Sequence, residues 1–163
     1  MNAAEIPATT STGDPTKVST EIPAASSEDP AKVNTEIPKP ETGLFTLTDS
    51  GTYYFIVNVL DPSVNLSSSR FGIGQFNRTN FAGGGIKHQL KTINNQNQLI
   101  FVGEFLSKNE AADYYQKIKP LLFEIMKISP DKYTTFYISK QNLDKLKDRE
   151  TVDHYLEFYQ KNF

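Results

Sequence analysis

The chain has 163 residues, no cysteine and a formal net charge of −2. Its length suits one domain of common size. The missing thiols exclude a disulfide framework and a thiolate metal site, and no run approaches the ~20 apolar residues of a membrane-spanning helix. The charge is unevenly divided. Residues 1–45 hold three Lys against seven Asp/Glu, a net of −4, and residues 46–163 hold fourteen Lys/Arg against twelve acids, a net of +2. Neither part carries the basic footprint of a nucleic-acid binder.

All nineteen aromatic residues lie at or after Phe45. Before it, Glu5-Ile6-Pro7 recurs as Glu21-Ile22-Pro23 and Glu36-Ile37-Pro38, and Asp14-Pro15-Thr16-Lys17-Val18 recurs as Asp29-Pro30-Ala31-Lys32-Val33. Ordering a residue's backbone costs roughly 1–2 kcal/mol, whereas burying one Ile or Val returns roughly 1.5–3 kcal/mol. Two aliphatic side chains per repeat cannot order the repeat. Residues 1–45 are therefore expected to be a disordered Pro/Thr/Ser-rich leader, an extended spacer, and residues 46–163 a folded domain. A repeated docking motif around Glu-Ile-Pro is the functional alternative. Met1 is followed by Asn2-Ala3-Ala4-Glu5, without the basic and apolar regions of a signal peptide, so export would rest on a longer parent or on a signal already removed.

Thr52–Leu60 reads as a strand with apolar residues on both faces, as a central strand covered on two sides requires. Asp61-Pro62 ends it. A helix is predicted over Val64–Asn77 with Leu66, Ile73, Phe76 and Phe71 as buried candidates. Gly72 and Gly74 weaken that helix and mark places of close packing. Gly83-Gly84-Gly85 is a loop, and Ile86–Ile93 an edge strand. Asn94–Asn97 is a hairpin turn. Gln98–Phe105 is a second central strand, with Leu99, Phe101 and Phe105 assigned to one face and Ile100 and Val102 to the other. Ser107 and Glu110 form a capping box before a helix with Ala111, Tyr114, Tyr115, Ile118, Leu122 and Ile125 at helical spacing, which Pro120 should kink or divide. Lys132–Ser139 is the fourth strand. Asp148–Phe163 closes the chain as a helix with the stripe Val152, Tyr155, Leu156, Tyr159.

The order β-α-β-β-α-β, with an extra C-terminal helix, predicts an α+β fold: a ferredoxin-like antiparallel sheet whose first and third strands are central. Two crossover helices cover one sheet face. The other face, carrying Tyr54, Ile56, Ile100 and Val102 or the alternate set, needs the last helix or a partner over it. The candidate binding surface is therefore Tyr54, Ile56, Ile100 and Val102, with Tyr133 and Tyr137 of the fourth strand. The last helix is expected to lie over that face or its edge.

His88 and His154 have no ligand-spaced neighbours, so no metal site is expected, and no cofactor motif is present. Asp144, Asp148, Glu150 and Asp153 read as helix-capping acids. No catalytic constellation stands out. Phe55-Ile56-Val57-Asn58-Val59 and Phe101-Val102-Gly103-Glu104-Phe105 loosely match the strand motifs of an RNA-recognition motif. The basic residue and the glycine-aromatic-glycine run that should precede the second motif are missing.

Four runs carry a family likeness: Phe76–Phe81 (Phe-Asn-x-x-Asn-Phe); Val102–Tyr115 (Val-Gly-Glu-Phe-x-x-Lys-x-x-Ala-x-x-Tyr-Tyr); Phe136–Asn142 (Phe-Tyr-Ile-Ser-x-x-Asn); and Tyr155–Phe163. Over roughly residues 52–163 the chain resembles the C-terminal domain of Bacteroidota tetratricopeptide proteins of the SprE/PorW kind, linked to gliding motility and type IX secretion. The helical repeats of that family are absent, and the Pro/Thr-rich leader stands in their place. The piece from the third strand into its helix also resembles the SPOR domain, a ferredoxin-like binder of peptidoglycan glycans. The resemblance implies a non-enzymatic scaffolding module of the bacterial cell envelope with a protein partner. The SPOR likeness implies peptidoglycan instead, and RNA ranks third.

Overall fold

The computed structural model describes residues 43–163; the leader repeats, and the spacer expected there, lie outside the described residues. Four strands, β1 (Ser50–Val59), β2 (His88–Ile93), β3 (Asn97–Ser107) and β4 (Tyr133–Ser139), form one sheet in the order β2-β3-β1-β4. All neighbouring pairs are antiparallel. The helices are α1 (Ser67–Asn80), α2 (Lys108–Ile118), α3 (Leu122–Met126), α4 (Lys140–Leu143) and α5 (Arg149–Asn162). The architecture is α+β and ferredoxin-like, with β1 and β3 central as their two apolar faces require.

The local signals act as their chemistry dictates. Ser107 Oγ accepts from Glu110 N at 3.3 Å, and the Glu110 carboxylate accepts from Leu106 N at 2.9 Å, which fixes the start of α2. Lys119–Leu121, containing Pro120, breaks the following helix into a 3-10 turn before α3. Asn94 and Asn95 take φ of 47° and 54° in the β2–β3 hairpin, the left-handed conformation that asparagine tolerates. Asp148 accepts from Thr151 N at 2.9 Å while Thr151 Oγ1 accepts from Asp148 N at 3.1 Å, closing a reciprocal cap on α5.

The sheet separates two cores. On one face Phe55, Val57, Ile100, Val102 and Phe105 pack against Ile73 and Phe76 of α1 and Ala111, Tyr114 and Ile118 of α2. On the other, Ile56, Leu99, Phe136 and Ile138 pack against Val152 and Tyr155 of α5, with Phe45 and Leu146. The last helix therefore covers the face that the crossover helices leave. Tyr155 meets Phe45 edge-on with ring centroids 4.9 Å apart, and its hydroxyl donates to Tyr137 O at 3.0 Å. Phe45, placed with the leader by a boundary at residue 46, is a buried member of this second core. Asn142 holds it there: its amide donates to Thr46 O at 2.8 Å and accepts from Thr46 N at 3.1 Å.

Three sequence expectations need correction. Phe71 is 64% exposed, because the face that turns Leu66, Ser69, Ile73 and Phe76 inward places Phe71, two residues before Ile73, on the opposite side of the helix. Phe105 does not share a face with Leu99 and Phe101. Between the pairs Phe55↔Val102 and Tyr53↔Phe105, β3 spends one residue more than β1. Gly103, at φ +108°, is the residue that lets this bulge form. The third correction concerns the set Tyr54, Ile56, Ile100 and Val102, which is split across the sheet. Ile100 lies opposite Val57 and Val102 opposite Phe55, on the face of α1 and α2, while Tyr54 and Ile56 lie on the face of α5.

Candidate functional site

Of the six residues expected to form a binding surface, Ile56, Ile100 and Val102 are fully buried. Tyr133 and Tyr137 belong to the α1/α2 face. Tyr137 is 9% exposed and is enclosed by Tyr115, Tyr159 and Phe163, whose ring centroids lie 5.2–6.2 Å from its own. Because α5 lies on the opposite face, its terminal rings reach round the β4 edge to make these contacts. Tyr54 and Tyr133 remain partly accessible, on opposite faces of the sheet. The six residues do not form one patch; the register and the bulge divide them.

Tyr54 stands instead at the floor of an open groove of about 620 Å³ on the α5 side of the sheet. The groove exists because the core under α5 takes in Ile56, Phe136, Ile138, Leu99 and only the Ile93 end of β2, leaving Gln89 and Lys91 outside it. Its floor is Tyr54 and Phe101, both half-buried. Lys87, Gln89 and Lys91 of β2 and its preceding loop make one wall, and Lys140, Leu143 and Asp144 the other. The Gly84-Gly85 loop forms part of the rim. The bulge at Gly103 places the exposed Glu104 in the lining. Lys140 Nζ and Asp144 form an ion pair at 2.7 Å one helical turn apart. Burial raises the Tyr54 phenol above its ordinary pKa, and Glu104 beside it adds to the rise while Lys140 opposes it.

The groove thus offers two aromatic faces, three ammonium groups and two carboxylates. That inventory recognises mixed polar and aromatic ligands by hydrogen bonding and ring contact. Among the described residues, no three His, Asp or Glu side chains converge as metal ligands. No family model, curated protein or solved structure matches this chain. The functional reading therefore stands on the groove and on the sequence resemblance.

Sequence reasoning reached Tyr54 and missed Phe101, Glu104, Lys91 and Lys140. The signal for Phe101 was present: with Ile56 facing outward from the α1/α2 core, antiparallel pairing obliges its partner Phe101 to do so too. Lys140 and Asp144 had no such signal, since α4 is a single turn with no apolar period.

Proposed function

We propose that this chain is a non-enzymatic interaction module of the bacterial cell envelope, in the setting of gliding motility and type IX secretion that its sequence resembles, and that the groove over Tyr54 and Phe101 holds a protein partner. One observation carries this reading. The α5 helix buries the apolar centre of the sheet face and leaves a bounded opening in which aromatic rings are ringed by charges of both signs. That is the composition of a recognition surface rather than of an unfinished core. A photo-reactive residue at the exposed Gln89 should crosslink to one discrete protein in the cells that make the chain. The same residue at exposed Glu157 on α5 should not. Equal labelling from both positions would remove the groove from consideration.

A second reading, a SPOR-like glycan binder, is favoured by the half-exposed rings of Tyr54 and Phe101 beside groups that can hydrogen-bond hydroxyls. Because α5 buries most of that face, the intact chain is expected not to co-sediment with denuded peptidoglycan at micromolar concentration. Tight co-sedimentation, lost in Tyr54→Ala and Phe101→Ala, would make the glycan reading the better one.

A further inference from the structure

Between Asp61 and Glu104 the sequence contains no acidic residue, yet it carries Arg70, Arg78, Lys87 and Lys91. The fold gathers this run at one side of the molecule, in α1 and β2. None of the four takes part in an ion pair among the described residues, and the buried Arg70 Nε has no hydrogen-bond partner there. Arg70, Gly74 and Arg78 follow one another at helical spacing on α1, facing β2. His88 packs on this row. A Cβ on Gly74 would stand 3.2 Å from His88 Cε1 and 3.9 Å from Arg78 Nη1, so the missing side chain is what lets the imidazole lie against the helix.

The two edges of the sheet differ. The tyrosine and phenylalanine rings at the end of α5 wrap the β4 edge. Among the described residues nothing pairs with the outer edge of β2, and no backbone group of Gln89–Thr92 bonds beyond β3. A bare edge is a template for another strand. In β2 the alternation places His88 and Leu90 on the α1 side, opposite Val102 and Ile100. Gln89 and Lys91, with Lys87 before them, lie on the groove side. A strand added beside β2 would alternate in the same way. One set of its side chains would lie under Arg70 and Arg78, and the other beside Lys87 and Lys91. Cations meet it on both faces.

We infer that the outer edge of β2 receives an extended acidic segment of a partner protein as a fifth strand, its carboxylates held by Arg70 and Arg78 on one face and by Lys87 and Lys91 on the other. Main-chain hydrogen bonds along the edge would supply the affinity and the flanking cations the choice of an acidic sequence. This rests on the reading of the chain as an interaction module and names the class of its partner.

The test is a titration of the full-length protein with a ten-residue peptide of alternating Glu and Val, with the Lys/Val peptide as control. The acidic peptide should bind with a dissociation constant below about 1 mM, shift the amide signals of His88–Ile93, and slow hydrogen exchange at alternate amides of β2. Binding should weaken roughly tenfold in Arg78→Glu and in Lys91→Glu, both exposed positions whose spectra should otherwise match the parent, and fall with added salt. No binding at millimolar peptide, signals moving on α2 or α5 instead, or equal binding of the Lys/Val peptide would overturn the inference. Should these fail while the Gln89 crosslink persists, only the edge is excluded; loss of both removes the interaction module itself.

Discussion

At the scale of single residues, His88 shows how the α1–β2 contact sets a titration. Burial holds its imidazole below the ordinary histidine pKa, and the guanidinium groups of Arg70 and Arg78 press it further down. The unfolded chain therefore binds a proton that the folded chain resists, and stability should fall as pH drops below about 6.5 towards the folded value. Following the His88 ring signals by NMR should give a titration below that of a model peptide, and Arg78→Gln should move it upward. A titration unmoved by that change would mean the arginine does not face the ring. The two phenylalanines of the α5 face make a sharper comparison. Phe136 is fully buried between the sheet and Tyr155, whereas Phe101 is half-exposed at the groove floor. Phe136→Ala should cost about 3–5 kcal/mol and Phe101→Ala clearly less, about 1–2 kcal/mol, by chemical denaturation. Equal losses would place Phe101 in the core and close the groove.

At the scale of elements, the bulge in β3 decides what faces what. A Cβ on Gly103 would fall 2.4 Å from the Phe105 ring, at a φ that side chains rarely adopt. Gly103→Ala should therefore destabilise the fold by at least about 2 kcal/mol, and it should alter the groove by moving Glu104. A loss under about 0.5 kcal/mol would show that the strand can straighten without penalty. This bulge also marks where the sequence stops being legible. The number, order and type of the main elements, the Ser107 cap, the Pro120 break and the docking of the last helix all follow from periodicity and capping chemistry. Those signals are local. The face of Phe105 depends on one extra residue measured against a partner strand nearly fifty positions away, and alternation read along β3 alone assigns it wrongly. The one-turn helix α4 and its Asn142 clamp on Thr46 have no apolar period to reveal them. Phe45 lay at the composition boundary, and only the second core shows which side of it the residue belongs to.

At the scale of the whole molecule, the two cores share one sheet, so the register of that sheet governs both. Pattern alone makes the candidate surface one patch, whereas antiparallel pairing makes a face out of opposite residues, and four of the six side chains, Ile56, Ile100, Val102 and Tyr137, belong to the interior. A short polar chain crosses the α5 side of three strands. Asn97 donates to Asn58 Oδ1 at 2.8 Å, and Asn58 donates to Thr134 Oγ1 at 3.1 Å, with both asparagines fully buried. Displacement of a strand by a single position turns its apolar side chains outward and is rejected by the hydrophobic effect alone. Displacement by two positions keeps every side chain on its proper side, and the hydrophobic pattern has no means of refusing it. The asparagines do. A move by two that sets Asn58 against Phe101 of β3 or Phe136 of β4 strips its amide of a partner while sealed from water, and leaving such a group unsatisfied costs about 1–3 kcal/mol. Three side chains at one end of the sheet thus act as an alignment key for strands whose Val, Ile, Phe and Leu residues would tolerate several alignments.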